Sequence, residues 1–218
     1  MNIGHARRKI TPQGDIYLIG YRNLPNRLEP ATGVHDDVFA NAILFQQGER
    51  EVFLFNADVL EFEESMAEEV KTMLAERYGV EIHYVTEVTE ITNGASTMNI
   101  YPPVGEEGAN ELGLTILCSL GDFDTLITGD MDGKTETKLV ETYDLPDIEV
   151  LLVGHHGSKY STGTTLLESV TPEVGVISVG DNSYGHPTEE ALLRQAGFSN
   201  VERLLREGNT TLLRAERD

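Results

Sequence analysis

The stretch from Thr125 to Ser158 constrains this chain more than any other. It reads TLITGD, a spacer of helical length, then IEVLLVGHHGS. Two apolar runs, Leu126-Ile127 and Ile148 to Val153, each stop at a glycine. A residue with metal-competent chemistry stands just past each stop: Asp130 after the first, His155 and His156 after the second. Short apolar runs of this kind, with a helix between them, read as buried neighbouring strands of a parallel sheet. Ligands of such sheets collect beyond the strand C-terminal ends. A carboxylate and an imidazole delivered to one edge are ligand types for zinc or a similar divalent ion. Taken singly, each residue also has a plain structural reading. Asp favours turns for its own backbone bonding, and a lone His at a strand end is commonly a satisfied structural group. Two adjacent histidines cannot both point into one core, so at least one of them is expected to face a ligand.

A third element follows the same logic. In VISVGDNSYGHP, from Val176, a buried run again ends in Gly, and His186 lies just beyond it. A neutral imidazole there can bind metal or donate to a substrate oxygen, or contact backbone where a helix begins. Tyr184 and Ser158 are candidates for hydrogen bonds to substrate, and Asp58, at the end of an earlier strand, is a candidate further acidic ligand. The expected site is therefore Asp130, His155 and His156 at the metal, with Asp130 and His186 carrying the chemistry.

Bulk properties bound the rest. The chain has 218 residues, 39% hydrophobic and 24% charged, enough for one large or two small domains. Its one cysteine, Cys118, excludes an internal disulfide framework and reads as a small buried hydrophobe. The formal net charge is -21, and the cluster Arg7-Arg8-Lys9 makes no basic stripe. A surface that grips nucleic acid or anionic membrane through many phosphates is not expected. A metal ion can still dominate the charge of its own site and hold a single phosphate. No apolar run is long enough to span a bilayer and no export signal is visible, so a cytoplasmic location is the default expectation.

Along the chain, Asp15 to Ile19 reads as a short strand and Tyr21 to Gly33 as a loop. Val38 to Phe45 and Glu51 to Asn56 read as a hairpin around Gly48. A helix is expected from Glu63 to Tyr78, with Met66, Val70, Met73 and Leu74 on one face and Gly79 as its stop. Ile82 to Val88 alternates like a strand. Thr92 to Gly113, with Pro102-Pro103, reads as the longest loop and the internal boundary, setting residues 1–90 apart from 91–218 within one globular unit. Leu114 to Leu120 and Thr125 to Thr128 form a hairpin, followed by a helix from Thr135 to Tyr143, the strand Ile148 to Val153, a helix from Thr164 to Val170 and the strand Val174 to Val179. Thr188 is an expected N-cap of a helix ending at Gly197. Val201 to Leu205 and Thr210 to Leu213 close as a hairpin.

Residues from about 97 to 213 resemble the C-terminal half of the metallo-β-lactamase-like domain of ComEC-type competence (DNA-uptake) proteins. The pieces that carry this are NELGLTILCSLGDFDTLITGD, LLVGHHGSKYST and TPEVGVISVGDNSYGHP. The resemblance implies an α/β fold, an αββα sandwich of mixed sheet with outer helices, and two metal ions at one sheet edge. It implies hydrolysis of a phosphodiester by a metal-activated water. By it, Asp130 binds or bridges metal, one histidine of the pair, His156 by preference, is a metal ligand, and His186 sits near the substrate phosphate.

The same fold normally takes most of its ligands from a His-x-His-x-Asp-His run after an earlier strand. Here the corresponding strand ends are NADVLEFEES and YVTEVTEITNGAS, without histidine. Their carboxylates, Asp58 among them, suit magnesium or manganese rather than zinc. Residues 4 to 80 are similar instead to the start of the neutral, non-lysosomal ceramidases, through GHARRKITP, the GVHDD turn and EVFLFNADVLE. That family's zinc histidines follow one strand later, where this chain has Thr86-Glu87-Val88-Thr89. The chain thus reads as two family fragments joined between about Tyr78 and Met98. Three functions follow: a metal-dependent hydrolase of phosphodiesters or similar esters, a folded hybrid or pseudoenzyme with weak metal binding, and a ceramidase-like amide hydrolase.

Overall fold

A computed structural model describes residues 2–16, 30–34, 36–58, 64–79, 81, 83–180, 182, 184–189, 191, 198–207 and 210–217. The last two segments are described by their backbone. The chain is mixed α/β and divides into two compact units, Met1–His83 and Tyr84–Asp218.

The first unit holds three antiparallel strands in the order β1-β2-β3: β1 (Asn2–Lys9), β2 (Phe39–Gln47) and β3 (Arg50–Ala57). Gly48, at φ 62°, makes the β2–β3 turn in a left-handed conformation that costs glycine little. The helix α1 (Glu64–Tyr78) follows, and Gly79 ends it with its N–H on the Ala75 carbonyl. The helix thus runs where its periodicity places it. Of the expected strand Asp15 to Ile19, residues 17–19 lie outside the described residues, as do residues 21–29 of the expected loop.

The second unit is built on one eight-stranded sheet, in the order β10-β11-β9-β8-β7-β6-β5-β4. Its strands are β4 (Thr89–Asn93), β5 (Ser96–Tyr101), β6 (Thr115–Leu120), β7 (Phe123–Ile127), β8 (Val150–Leu152), β9 (Val174–Gly180), β10 (Phe198–Glu207) and β11 (Thr210–Arg217). The three central strands β7, β8 and β9 are parallel, with Leu126 beside Leu151 and Leu151 beside Gly175. All other neighbours are antiparallel. Parallel neighbours require crossovers, and α2 (Gly133–Thr142) and α3 (Thr164–Val170) lie in the two crossovers. Leu139 from α2 and Leu166 and Val170 from α3 pack on Leu117, Leu126 and Leu151 of the sheet, with Met131, Leu145 and Ile148 closing the cluster. Burying each such leucine contributes about 1.5–3 kcal/mol.

Two expectations fail here. Residues 84–88 form no strand; the extended segment begins at Thr89. The span Thr92 to Gly113 is not one long loop, because Gly94-Ala95 is a tight turn and Ser96–Tyr101 is β5, paired on both sides with β4 and β6. A two-residue loop that opens with Gly is a hairpin signal. The low apolar content of STMNIY masked it, since only Ile100 and Tyr101 of that strand are buried.

Candidate metal-binding edge

The parallel centre of the sheet fixes the geometry. β7 and β8 stop in step, and the chain leaves each at its C-terminal end through glycine. Gly129, at φ 69°, turns the chain after β7 and puts Asp130 at the edge. The His155 N–H donates to the Gly129 carbonyl at 3.0 Å, so the loop after β8 is hung on the loop after β7.

The loop after β8 is a tight turn over Gly154–Gly157. Its two histidines both take left-handed backbone angles, φ 48° for His155 and φ 53° for His156. Histidine is among the non-glycine residues enriched there, yet the conformation still costs about 1–2 kcal/mol per residue. The turn thereby presents two successive imidazoles at the sheet edge.

His156 is held at its other end. Its Nδ1 lies 2.8 Å from the Ser178 carbonyl oxygen of β9. A carbonyl only accepts, so Nδ1 carries the proton, and in the neutral ring Nε2 carries the lone pair. Nε2 faces Asp130 Oδ1 at 3.9 Å. That is too long for a shared proton in a normal hydrogen bond.

The third loop joins the same corner. Asn182 Oδ1 accepts from the Tyr184 and His186 N–H groups at 3.1 and 3.0 Å, while its Nδ2 donates to the His186 carbonyl at 2.8 Å. The His186 ring lies edge-on to His155, with centroids 5.6 Å apart. Tyr184 is 6.0 Å from His186, ring to ring. Burial holds the His186 pKa below the ordinary histidine value, the charges of His155 and His156 push it the same way, and Asp130 opposes them. Thr188 is confirmed as a cap: its Oγ1 accepts from Ala191 N–H at 3.1 Å. Its own N–H donates to the Gly157 carbonyl at 2.9 Å, tying the loop after β9 to the histidine turn. Residues 192–197 of the expected helix lie outside the described residues.

Asp130, His155, His156 and His186 are thus brought to one corner, as their positions after three parallel strands predict. Ser158 is buried, and its Oγ accepts from Tyr160 N–H at 3.3 Å. Asp58 lies in the first unit, where its Oδ2 accepts from Phe39 N–H at 2.9 Å. The supporting groups, the Ser178 carbonyl and Asn182, were missed in the sequence. A backbone acceptor has no residue signature. Asn182 did have one, since an Asn four residues before the histidine is a turn-former.

Asp130 and His156 are neighbours of metal-ligand type, with Nε2 and Oδ1 3.9 Å apart. Among the described residues, no three His, Cys, Asp or Glu side chains converge to hold a metal. Fold and site together define a mixed α/β sheet with a histidine- and aspartate-bearing edge at its parallel centre. Over part of its length the chain is similar to ComEC-type competence proteins. It is 33% identical over 84 residues to ComE operon protein 3 of Bacillus subtilis (38% of this chain, 11% of that protein). It is 48% identical over 67 residues to competence protein ComA of Neisseria gonorrhoeae (29% and 10%). Over 71 residues it is 45% identical to recombination protein 2 of Haemophilus influenzae (33% and 9%). The chain matches about a tenth of the length of these relatives. No ceramidase is among them. No protein-family profile matches the chain, and no solved structure matches it. No described helix is long and apolar enough to cross a membrane.

Proposed function

We propose that the unit Tyr84–Asp218 is the metal-bearing half of a metallo-β-lactamase-like hydrolase, its sheet one of the two in an αββα sandwich, acting on phosphodiester or similar ester bonds. The observation that carries this reading is the Asp130–His156 pair. An anionic oxygen and a lone-pair nitrogen face each other across 3.9 Å. Both are electron-pair donors, so a cation between them stabilises the arrangement. A backbone carbonyl orients the imidazole from behind, as the outer shell of metal-ligating histidines usually does. Zinc suits the mixed oxygen and nitrogen pair, with magnesium or manganese as the alternatives if carboxylates complete the sphere. When bound, the metal supplies an activated water and a Lewis acid for the ester oxygen. This chain's residues do the rest. Asp130 and His156 hold the ion. The uncharged His186 ring donates to or accepts from a substrate oxygen, with Tyr184 beside it.

A second reading has its own observation. With only two donors converging among the described residues, the chain is a pseudoenzyme with weak metal binding. Titration of the full, metal-stripped chain with zinc and with manganese, followed by hydrolysis of a generic bis-aryl phosphate, separates the two. The hydrolase reading expects micromolar or tighter binding, turnover abolished by chelator, and at least a tenfold loss of affinity in both Asp130→Asn and His156→Ala. Binding without turnover supports the pseudoenzyme. Affinity unchanged in both variants overturns the placement of the site.

A further inference from the structure

The corner contains a buried carboxyl group that the site does not use. Glu136, in the first turns of α2, is fully buried. Both carboxylate oxygens accept backbone N–H groups, Oε1 from Thr162 at 2.6 Å and Oε2 from Gly163 at 2.7 Å. Three glycines close around it. A Cβ on Gly154 would lie 3.2 Å from Oε1, and one on Gly163 or Gly133 would lie 3.5 or 3.8 Å from Oε2. A carboxylate desolvated to this degree is costly unless its lone pairs are satisfied, and here the partners are amides 26 and 27 residues further along the chain.

The amides it grips lead back to the histidines. Thr162 sits at φ 52°, a strained angle for a β-branched residue. Its N–H is on Glu136, and its Oγ1 accepts from the Gly154 N–H at 2.8 Å. Gly154 is the residue that opens the histidine turn. Ser161 Oγ donates to the Met131 carbonyl at 2.8 Å, and Gly133 N–H to the Tyr160 carbonyl at 2.7 Å. The start of α2, the segment 160–163 and the turn 154–157 are therefore one hydrogen-bonded block with Glu136 at its centre.

We propose that Glu136 is the positioning residue of this edge: through Thr162 and Gly154 it holds His155 and His156 in their left-handed turn. Strained angles at three non-glycine residues persist only where surrounding contacts over-determine them, and this carboxylate anchors those contacts. Its effect on metal binding rests on the Asp130–His156 pair proposed above; its hold on the turn does not.

The test uses the full chain and three variants: Glu136→Gln, Thr162→Val and, as a control, Leu139→Ala. Leu139 is buried on the same helix but packs in the apolar core. Nuclear magnetic resonance of the metal-free protein reads the backbone shifts of His155 and His156, which report left-handed geometry, and the tautomer of the His156 ring. Calorimetric titration with zinc reads affinity. In Glu136→Gln one oxygen is replaced by an amide group that donates where an acceptor is needed. In Thr162→Val the relay to Gly154 is cut with shape retained. Both variants should lose the left-handed shifts and the single Nδ1–H tautomer, and weaken zinc by about 10–100-fold. Leu139→Ala should lower the unfolding midpoint and leave both readouts at their parental values. Folded Glu136→Gln and Thr162→Val proteins with parental histidine shifts overturn the proposal, as does a Leu139→Ala chain that moves them equally. If Glu136→Gln does not fold, Thr162→Val alone decides. A parent that binds no zinc sinks the metal pair, while the histidine shifts still decide the role of Glu136.

Discussion

At the scale of the residue, His186 and Gly157 are the most exacting positions of the corner. Burial and the neighbouring His155 and His156 hold the His186 pKa below its ordinary value of about 6.5. The unfolded chain therefore takes up this proton at a higher pH than the folded chain does. Stability contributed by the neutral ring is present above about pH 6.5 and is lost as pH falls toward the lowered folded value. Urea unfolding from about pH 8 to about pH 5 should show stability declining on the acid side, and His186→Asn should flatten part of that decline. An unchanged slope in the variant would place the proton elsewhere. Gly157 is constrained twice. Its φ of 81° belongs to the left-handed region, and a Cβ there would meet the Pro187 Cβ at 2.6 Å, closer than real contacts come. Gly157→Ala should destabilise by roughly 1–3 kcal/mol and displace the His186 ring, visible as a change in that ring's proton shifts. An alanine that leaves both unchanged would show that the two loops separate at no cost.

At the scale of the element, α2 connects sequence, packing and site. Asp132 caps it: Oδ1 accepts from Thr135 N–H at 2.9 Å, from Thr135 Oγ1 at 2.9 Å and from Lys134 N–H at 3.2 Å. The Thr135 N–H holds the Asp132 carboxyl below the usual carboxylate range. Asp132→Ala should cost about 0.5–2 kcal/mol, measured by chemical denaturation at neutral pH, and the loss should shrink in acid as the parent's carboxylate protonates. A constant difference down to acid pH would mean the cap acts through shape and not charge. This helix, the hairpin of β6 and β7, the strands β8 and β9, and α3 were legible because each is a short apolar or periodic run bounded by Gly, Pro or a capping residue. The corner itself was legible for the same reason: Asp130, His155-His156 and His186 each follow a buried strand. β5 was not legible, because its place in the sheet is set by backbone pairing on both sides and only its last two residues are buried. Glu136 was not legible either. Nothing near a helical glutamate in sequence reveals that its partners are amides two elements away. Buried charges satisfied by distant backbone are visible only in three dimensions.

At the scale of the whole molecule, the two units differ in what can hold them. In the first unit β2, β3 and α1 were readable and β1, in a stretch read as irregular, was not; the structure also gives the two units different burial. Among the described residues of Asn2–His83 none is buried, β1 is exposed along its whole length, and Phe53, Phe55, Met66 and Met73 are 40%, 46%, 51% and 48% exposed. The second unit contains both clusters of buried apolar side chains, one spanning β5 to β8 with α2 and α3, the other made of Val153, Ile177 and Val179. Local opening free energy follows buried apolar contact, and a three-stranded sheet needs a covered apolar face to be independently stable. Hydrogen exchange followed by mass spectrometry should therefore find the β1–β3 amides exchanging by local opening, at rates well above those of β6 to β9, whose exchange should approach the limit set by global unfolding. Raising urea should merge the two rates only near the unfolding midpoint of the second unit. Equal protection of β2, β3 and β8 in dilute, native buffer would mean that the exposed apolar faces of the first unit are covered in solution. Repeating the measurement across a range of protein concentration would then tell a second copy from the chain itself, because only association gains protection with concentration.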